Sequence, residues 1–273
     1  MNRIDRIFRE LRERGGKALM PFVTAGDPDM ATTAALLPVL EAAGASVVEI
    51  GFPFSDPIAD GPVIQASMTH ALDAGLHVGD IFQQVAAARQ RTSLGLVAMV
   101  SYSIVHRWGV GRFASDAASA GFDALLIPDL PVEAAGEARA AAHEAGLAMS
   151  MLVAPTTSHE RAAEIAAAAS GFLYVISRAG VTGESKALPA ELPERVGRLR
   201  QATALPIAVG FGVADAEQVR QVVGVADAAI VGSAIVRRIA AHRQAGREAV
   251  IEQVRALARE LASGLPGGAA VRQ

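Results

Sequence analysis

The chain has 273 residues, a formal net charge of −3 and no cysteine. Those facts exclude disulfides, thiolate metal sites and a cysteine nucleophile, and with no basic stripe they argue against a nucleic-acid partner. At 51 % hydrophobic, the chain can bury one barrel-sized core, or two smaller ones, without staples.

The N-terminus, MNRIDRIFRELRERGGK, is charged and amphipathic and lacks the apolar centre of a signal peptide. No apolar run approaches the roughly 18 residues of a membrane span. The expectation is a soluble, cytoplasmic protein. Residues 3–14 predict a helix ahead of the first strand. Short apolar runs then predict strands at 18–24, 47–51, 94–100, 124–127, 148–153, 172–176, 207–210 and 228–231. Each run is rich in Val, Ile, Leu or Ala on both faces, the pattern of a parallel strand that meets water on neither. Helical patterns separate them at 30–43, 63–74, 110–120, 133–144, 158–168, 191–202 and 215–223, and 247–262 predicts a closing helix. Asp215 with Gln218 forms a capping-box pattern, and Ser158 suits an N-cap.

Eight strands alternating with helices predict an α/β fold of (β/α)8 TIM-barrel type, with an extra N-terminal helix and a C-terminal closing helix. A doubly wound open sheet is the alternative. No composition shift marks a boundary, so 1–262 is expected to be a single barrel domain. The Gly/Pro-rich residues 263–273 are expected to form a flexible tail.

In a barrel the chemistry sits at the C-terminal ends of the strands. Glu49 is an acidic residue near the end of an otherwise apolar strand, on the same face as Val47 and Gly51. Burial there is costly and raises a carboxyl pKa, which suits a group that both gives and takes a proton. A structural ion pair with an arginine is the plainer reading. The following loop carries Asp56 and Asp60 among Pro53, Pro57 and Gly61. Turn chemistry accounts for Asp56 as well as function does. Asp60, behind the apolar step Ile58-Ala59, is the better site candidate.

Glycine clusters follow the last three strands: Gly180-Val181-Thr182-Gly183, Gly210-Phe211-Gly212 and Gly232-Ser233. Together they suit a phosphate held by backbone N–H groups and a helix N-terminus, without a metal. The two lysines, Lys17 and Lys186, are not strand residues, so a Schiff base is disfavoured. The six histidines are scattered without ligand spacing, and none is placed to activate Ser55, Ser101 or Ser177. There is no Rossmann fingerprint and no P-loop. Carboxylate acid–base work on a phosphorylated substrate remains.

Six segments carry a resemblance along nearly the whole chain. They are LMPFVTAGDP at 19–28, EIGFPFSDPIADGP at 49–62, IPDLPVE at 127–133, YVISRAGVTG at 174–183, VGFGV at 209–213 and VGSAIV at 231–236. The sequence resembles the tryptophan synthase alpha family. The resemblance implies retro-aldol cleavage of indole-3-glycerol phosphate to indole and glyceraldehyde 3-phosphate. It implies Glu49 as general acid–base and Asp60 as the carboxylate that holds the indole N–H. It places Phe22, Val100 and Leu126 around the indole, although barrel core explains these three equally well. Tyr174 would reach Glu49 or substrate, or be core with a locally satisfied hydroxyl. Thr182 would lie in a loop closing on Asp60. Gly183, Phe211, Gly212, Gly232 and Ser233 complete the substrate-binding set, all but Phe211 as phosphate contacts.

The same resemblance implies no cofactor on this chain. Pyridoxal phosphate belongs to the family's partner, the beta subunit, in an α2β2 assembly. The implied partner surfaces are the loop from Phe52 to Asp60, the segment after the third strand and the Asp129-Leu130-Pro131 loop. After the third strand, Tyr102 fits the family's pattern, but Ser103 and Ile104 replace its usual Asn-Pro step. A stand-alone lyase releasing free indole and a catalytically weak regulatory partner are the alternatives.

Overall fold

Every predicted strand pairs in parallel with the next, and the last closes on the first. In the computed structural model, residues 2–57, 60–177, 189–210 and 212–267 are described. The strands are β1 (Ala18–Thr24), β2 (Val47–Gly51), β3 (Gly95–Met99), β4 (Ala124–Leu126), β5 (Ala148–Val153), β6 (Leu173–Ile176), β7 (Ile207–Gly210) and β8 (Ala228–Val231). They form a closed barrel in sequence order. The (β/α)8 expectation therefore holds, and the open sheet is excluded by the β1–β8 pairing.

Helices α1 (Arg3–Glu13), α2 (Met30–Ala42), α3 (Pro62–Asp73), α4 (Val78–Arg89), α5 (Tyr102–Trp108) and α6 (Val110–Ala120) occupy the first half. The second half has α7 (Gly136–Glu144), α8 (His159–Ala168), α9 (Leu192–Ala202), α10 (Ala216–Val223), α11 (Ser233–His242) and α12 (Arg247–Ala262). α4 and α5 fall where no helix was predicted. α4 begins with His77, an uncommon N-cap, reciprocated by Asp80. α5 is only seven residues long, too short to show a clear period. The segment predicted as helix from Glu133 starts instead at Gly136, because 131–135 forms turns. Ser158 and Asp215 cap α8 and α10 as expected, accepting from Arg161 N–H and Gln218 N–H. Gln218 differs from the expected box: its side-chain oxygen accepts from Ala214 N–H, one residue before the cap.

The pairing register, carried once round the barrel from Phe22, returns at Arg14, eight residues earlier. A shear of eight stacks the inward residues of alternate strands in layers of four. The upper layer is Phe22, Met99, Leu152 and Gly210. Below it lie Glu49, Leu126, Tyr174 and Ile230, then Met20, Val97, Ser150 and Ala208. Outward residues such as Val48, Ile50, Leu96 and Val209 join the larger core between sheet and helices.

Alanine and glycine dominate the bottom of the lumen, and α1 fills it. Ile4, Phe8 and Leu11 pack with Ala18, Val47, Ala124 and Phe172. A Cβ on Gly95 would lie 2.6 Å from Ile4 Cδ1, so the glycine admits the plug. Asn2 caps α1 and donates from its amide to Asp123 and Gly146 carbonyls, each at 2.8 Å, fixing α1 at the N-terminal ends of β4 and β5. The chemistry must therefore use the other mouth. Ile4 is fully buried. Ile4→Ala should cost about 2–5 kcal/mol, read as a lower urea midpoint with an unchanged slope.

Candidate active site

β2 brings Glu49 to the lumen because the alternation that faces Val48 and Ile50 outward faces Val47 and Glu49 inward. Glu49 is 1 % exposed, and its Oε1 has no hydrogen-bond partner. Burial alone lifts its carboxyl from the ordinary 4.5 to about 8. It therefore holds a proton at neutral pH, and among the described residues no arginine pairs with it.

Tyr174 shares Glu49's layer. Burial, then the charges of Glu49 and Asp60, raise its phenol well above the usual range. Its hydroxyl lies over β7, where a Cβ on Gly210 would sit only 2.6 Å away. Phe22 stands one layer higher. A Cβ on Gly51 would run into its ring, and one on Gly232 would make ordinary contact with it, 3.7 Å from the Phe22 Cβ. Phe22 thus spans the mouth from β2 to β8, clustered with Ile64, Met68 and Val236 from α3 and α11. Leu126 is fully buried in the Glu49 layer.

Asp60 ends the loop after β2. Its N–H donates to Pro57 O at 3.0 Å, and the Gln65 amide donates to the carbonyls of Pro57 and Asp60 at 3.1 and 2.8 Å. These bonds tie the loop's end to the first turn of α3. Partial burial raises the Asp60 carboxyl from 3.8 to about 6. Asp60 lines a cavity of about 230 Å³ with Met68, Met99, Val100, Pro128 and Asp129. Val100 has a double position, lining this cavity while packing in the sheet–helix core. Asp56 is exposed on the same rim.

On the opposite side, β7 and β8 run into glycines. Gly212 has φ +84°, a conformation that favours glycine. Gly232 precedes α11 without a side-chain cap, and Ser233 is the helix's first residue, as expected of a helix opener. The first N–H groups of α11 have no acceptor within the helix, the arrangement that receives an anion. Thr182, Gly183 and Phe211 lie outside the described residues.

The structure therefore brings Phe22, Glu49, Asp60, Leu126, Tyr174, Gly232 and Ser233 around one mouth. Sequence reading missed Met68, Met99 and Pro128 on the cavity wall, and named Asp129 only as part of a partner surface. Met99 was findable as the last inward residue of β3. Met68 comes from α3 and was not. It also missed the buried Asp27, 3.1 Å from His70 and 3.6 Å from Arg243. Among the described residues, no three His, Asp or Glu side chains converge as a metal site. No helix of the described residues is long and apolar enough to cross a membrane.

Fold and site together define a (β/α)8 barrel that gathers two carboxyls, both raised by burial, at its C-terminal mouth. The family model for the tryptophan synthase alpha chain matches residues 8–265. The tryptophan synthase alpha chain of Rhodopirellula baltica is 44 % identical, over 95 % of both chains. That of Geobacter sp. strain M21 is 46 % identical, over 87 % of this chain and 89 % of the relative. A chain of Mycobacterium tuberculosis tryptophan synthase superposes with TM-score 0.88 at 35 % identity, covering 96 % and 98 % of the two chains. Tryptophan synthase subunit alpha from Legionella pneumophila str. Paris gives 0.86 at 34 %, covering 97 % and 98 %. The chain belongs to the tryptophan synthase alpha chain family.

The raised Glu49 value carries a stability signature. Between pH 4.5 and about 8 the folded state keeps a proton that the unfolded chain releases. Wild type therefore loses stability as pH rises through that window, and Glu49→Gln does not. The Gln variant's thermal midpoint should gain on wild type from pH 5 to 8 and then level off. Parallel curves would show an unshifted carboxyl.

Proposed function

We propose that the chain cleaves indole-3-glycerol phosphate to indole and glyceraldehyde 3-phosphate, with Glu49 and Asp60 as its catalytic pair. The observation that carries this reading is the buried, proton-holding Glu49 beside the lower-titrating Asp60. Two carboxyls pushed to different values are suited to different tasks. Glu49 delivers a proton to indole C3, which turns the ring into a cationic indolenine. The same residue, now a carboxylate, takes the proton of the glycerol hydroxyl next to the ring. The C–C bond then breaks, its electrons return to the indole, and the oxygen becomes the aldehyde. Asp60 accepts the indole N–H and stabilises the cation while it lasts.

Phe22, Leu126 and Val100 enclose the indole, and Tyr174 orients Glu49 or the substrate. Gly212, Gly232 and Ser233 hold the phosphate at the α11 N-terminus, with Gly183. Thr182 and Phe211 complete the substrate contacts, Thr182 from a loop that closes on Asp60. This chemistry requires no cofactor on the chain. Pyridoxal phosphate is assigned to a beta subunit that receives the indole in a cytoplasmic α2β2 complex, in tryptophan biosynthesis.

The rim geometry supports the partner assignment. Ser101 Oγ and Tyr102 N–H donate to Asp129 at 2.7 and 2.8 Å, joining the segment after β3 to the 129–131 loop. Phe54, Ser55, Ser103, Ile104 and Trp108 share an adjoining groove of about 570 Å³. The three implied partner surfaces are thus contiguous, and Ser103 and Ile104 lie on them.

Indole release by the chain alone and with a beta subunit tests the assignment, with strong activation by beta expected. No release in either case would overturn it. The cleavage rate should follow a bell, falling below pH about 6 as Asp60 protonates and above about 8 as Glu49 loses its proton. Glu49→Gln should cut kcat by about 100-fold or more. Asp60→Asn should lower kcat far more than it weakens binding of glycerol phosphate.

A further inference from the structure

Ser150 breaks the apolar pattern of the lumen. β5 turns Met149, Met151 and Val153 outward to the helices, leaving Ala148, Ser150 and Leu152 inward. Ser150 is 1 % exposed, and its hydroxyl oxygen has no hydrogen-bond partner. A buried hydroxyl left in that state is costly, so such groups are normally bonded to protein or to internal water.

Among the described residues, the other buried side-chain atoms without a hydrogen bond are Arg3 Nε, both Asp27 oxygens, His70 Nδ1 and Glu49 Oε1. Arg3 faces Asp123 at 3.2 Å, and Asp27 and His70 face each other at 3.1 Å. Only Glu49 and Ser150 are left without a charged neighbour, and both point into the lumen. They stand in adjacent layers, roughly 3 Å apart along the barrel axis. Their strands lie three apart, so the two side chains converge from different walls. Ala208 in Ser150's layer and Ala124 and Ala228 in the layer below take less of the lumen than branched side chains would.

We propose that Ser150 is a positioning residue for Glu49: its hydroxyl and one water in the lumen form the hydrogen-bonded link that holds the Glu49 carboxyl. The hydroxyl both donates and accepts, and an internal water takes two to four polar partners. Ser150 and Glu49 supply two. Tyr174 on β6 and Asp60 at the end of the β2 loop are the titratable groups at this end of the lumen. The facing residues Phe22, Val97, Leu126 and Ile230 carry none. The link donates to the Glu49 carboxylate, so it favours the charged form and partly offsets burial. The inference rests on the acid–base reading of Glu49 for its catalytic consequence but not for the hydrogen bond.

Ser150→Thr and Ser150→Val test it, because the two introduced side chains share a shape and differ by the hydroxyl. The Glu49 titration is followed by carbon-13 NMR of carboxyl-labelled glutamate, the resonance being identified by its loss in Glu49→Gln. The Val variant should titrate about one pH unit above the Thr variant, the effect of one charge-assisted hydrogen bond. Thr should track wild type, and Ser150→Ala, which adds no volume, should follow Val. The alkaline limb of indole release should move with the NMR midpoint while KM stays constant. Coincident Thr and Val midpoints, or Ala behaving as wild type, would overturn the link. A midpoint that moves while the alkaline limb stays would uphold the link and overturn the acid–base role of Glu49.

Discussion

The site depends on one unfavourable burial, that of the Glu49 carboxyl in an apolar lumen. Among the described residues no cation offsets it, and an ionised carboxylate there lacks the hydration it would have in water. The protein responds by keeping the proton, which places the titration near 8 instead of 4.5. A group that would be spent as an acid at neutral pH on the surface is thus ready to donate.

The barrel's architecture makes that burial possible and confines access to it. Small residues near the N-terminal end admit Ile4 and Phe8, so the lower lumen is closed by α1. At the other end, glycines at 51 and 210 let Phe22 and Tyr174 lean over strand ends that a Cβ would obstruct. One mouth is sealed by hydrocarbon, and the other is shaped by aromatic rings around a carboxyl. Asp60 enters from a loop rather than a strand. Its partial exposure explains why its carboxyl rises only to about 6, so the two acids separate by depth alone.

Much of this was legible in the chain. All eight strands were, because a parallel strand buried on both faces reads as a short apolar run. Glu49 stood out because a carboxylate inside such a run is costly to bury, although an ion pair with an arginine was an open reading. The glycine ends of β7 and β8 were visible as clusters but carried meaning only together. α4 and α5 were hidden, one by an unusual cap and the other by its length. Met68, Pro128 and the Asp27–His70 pair were hidden as well, since each acts across elements distant in sequence.

By itself, the sequence determined the strand set, the inward face of β2 and the motifs shared with the family. These are local properties: alternation, burial pattern and turn chemistry act over a few residues. Only the tertiary structure decided which side chains share a layer. The shear of the closed sheet, set by pairings between residues far apart in the chain, puts Tyr174 level with Glu49 and Ser150 one layer beneath. It also decided the protonation of Glu49, because desolvation depends on everything packed around a carboxyl and not on the residues beside it in the chain.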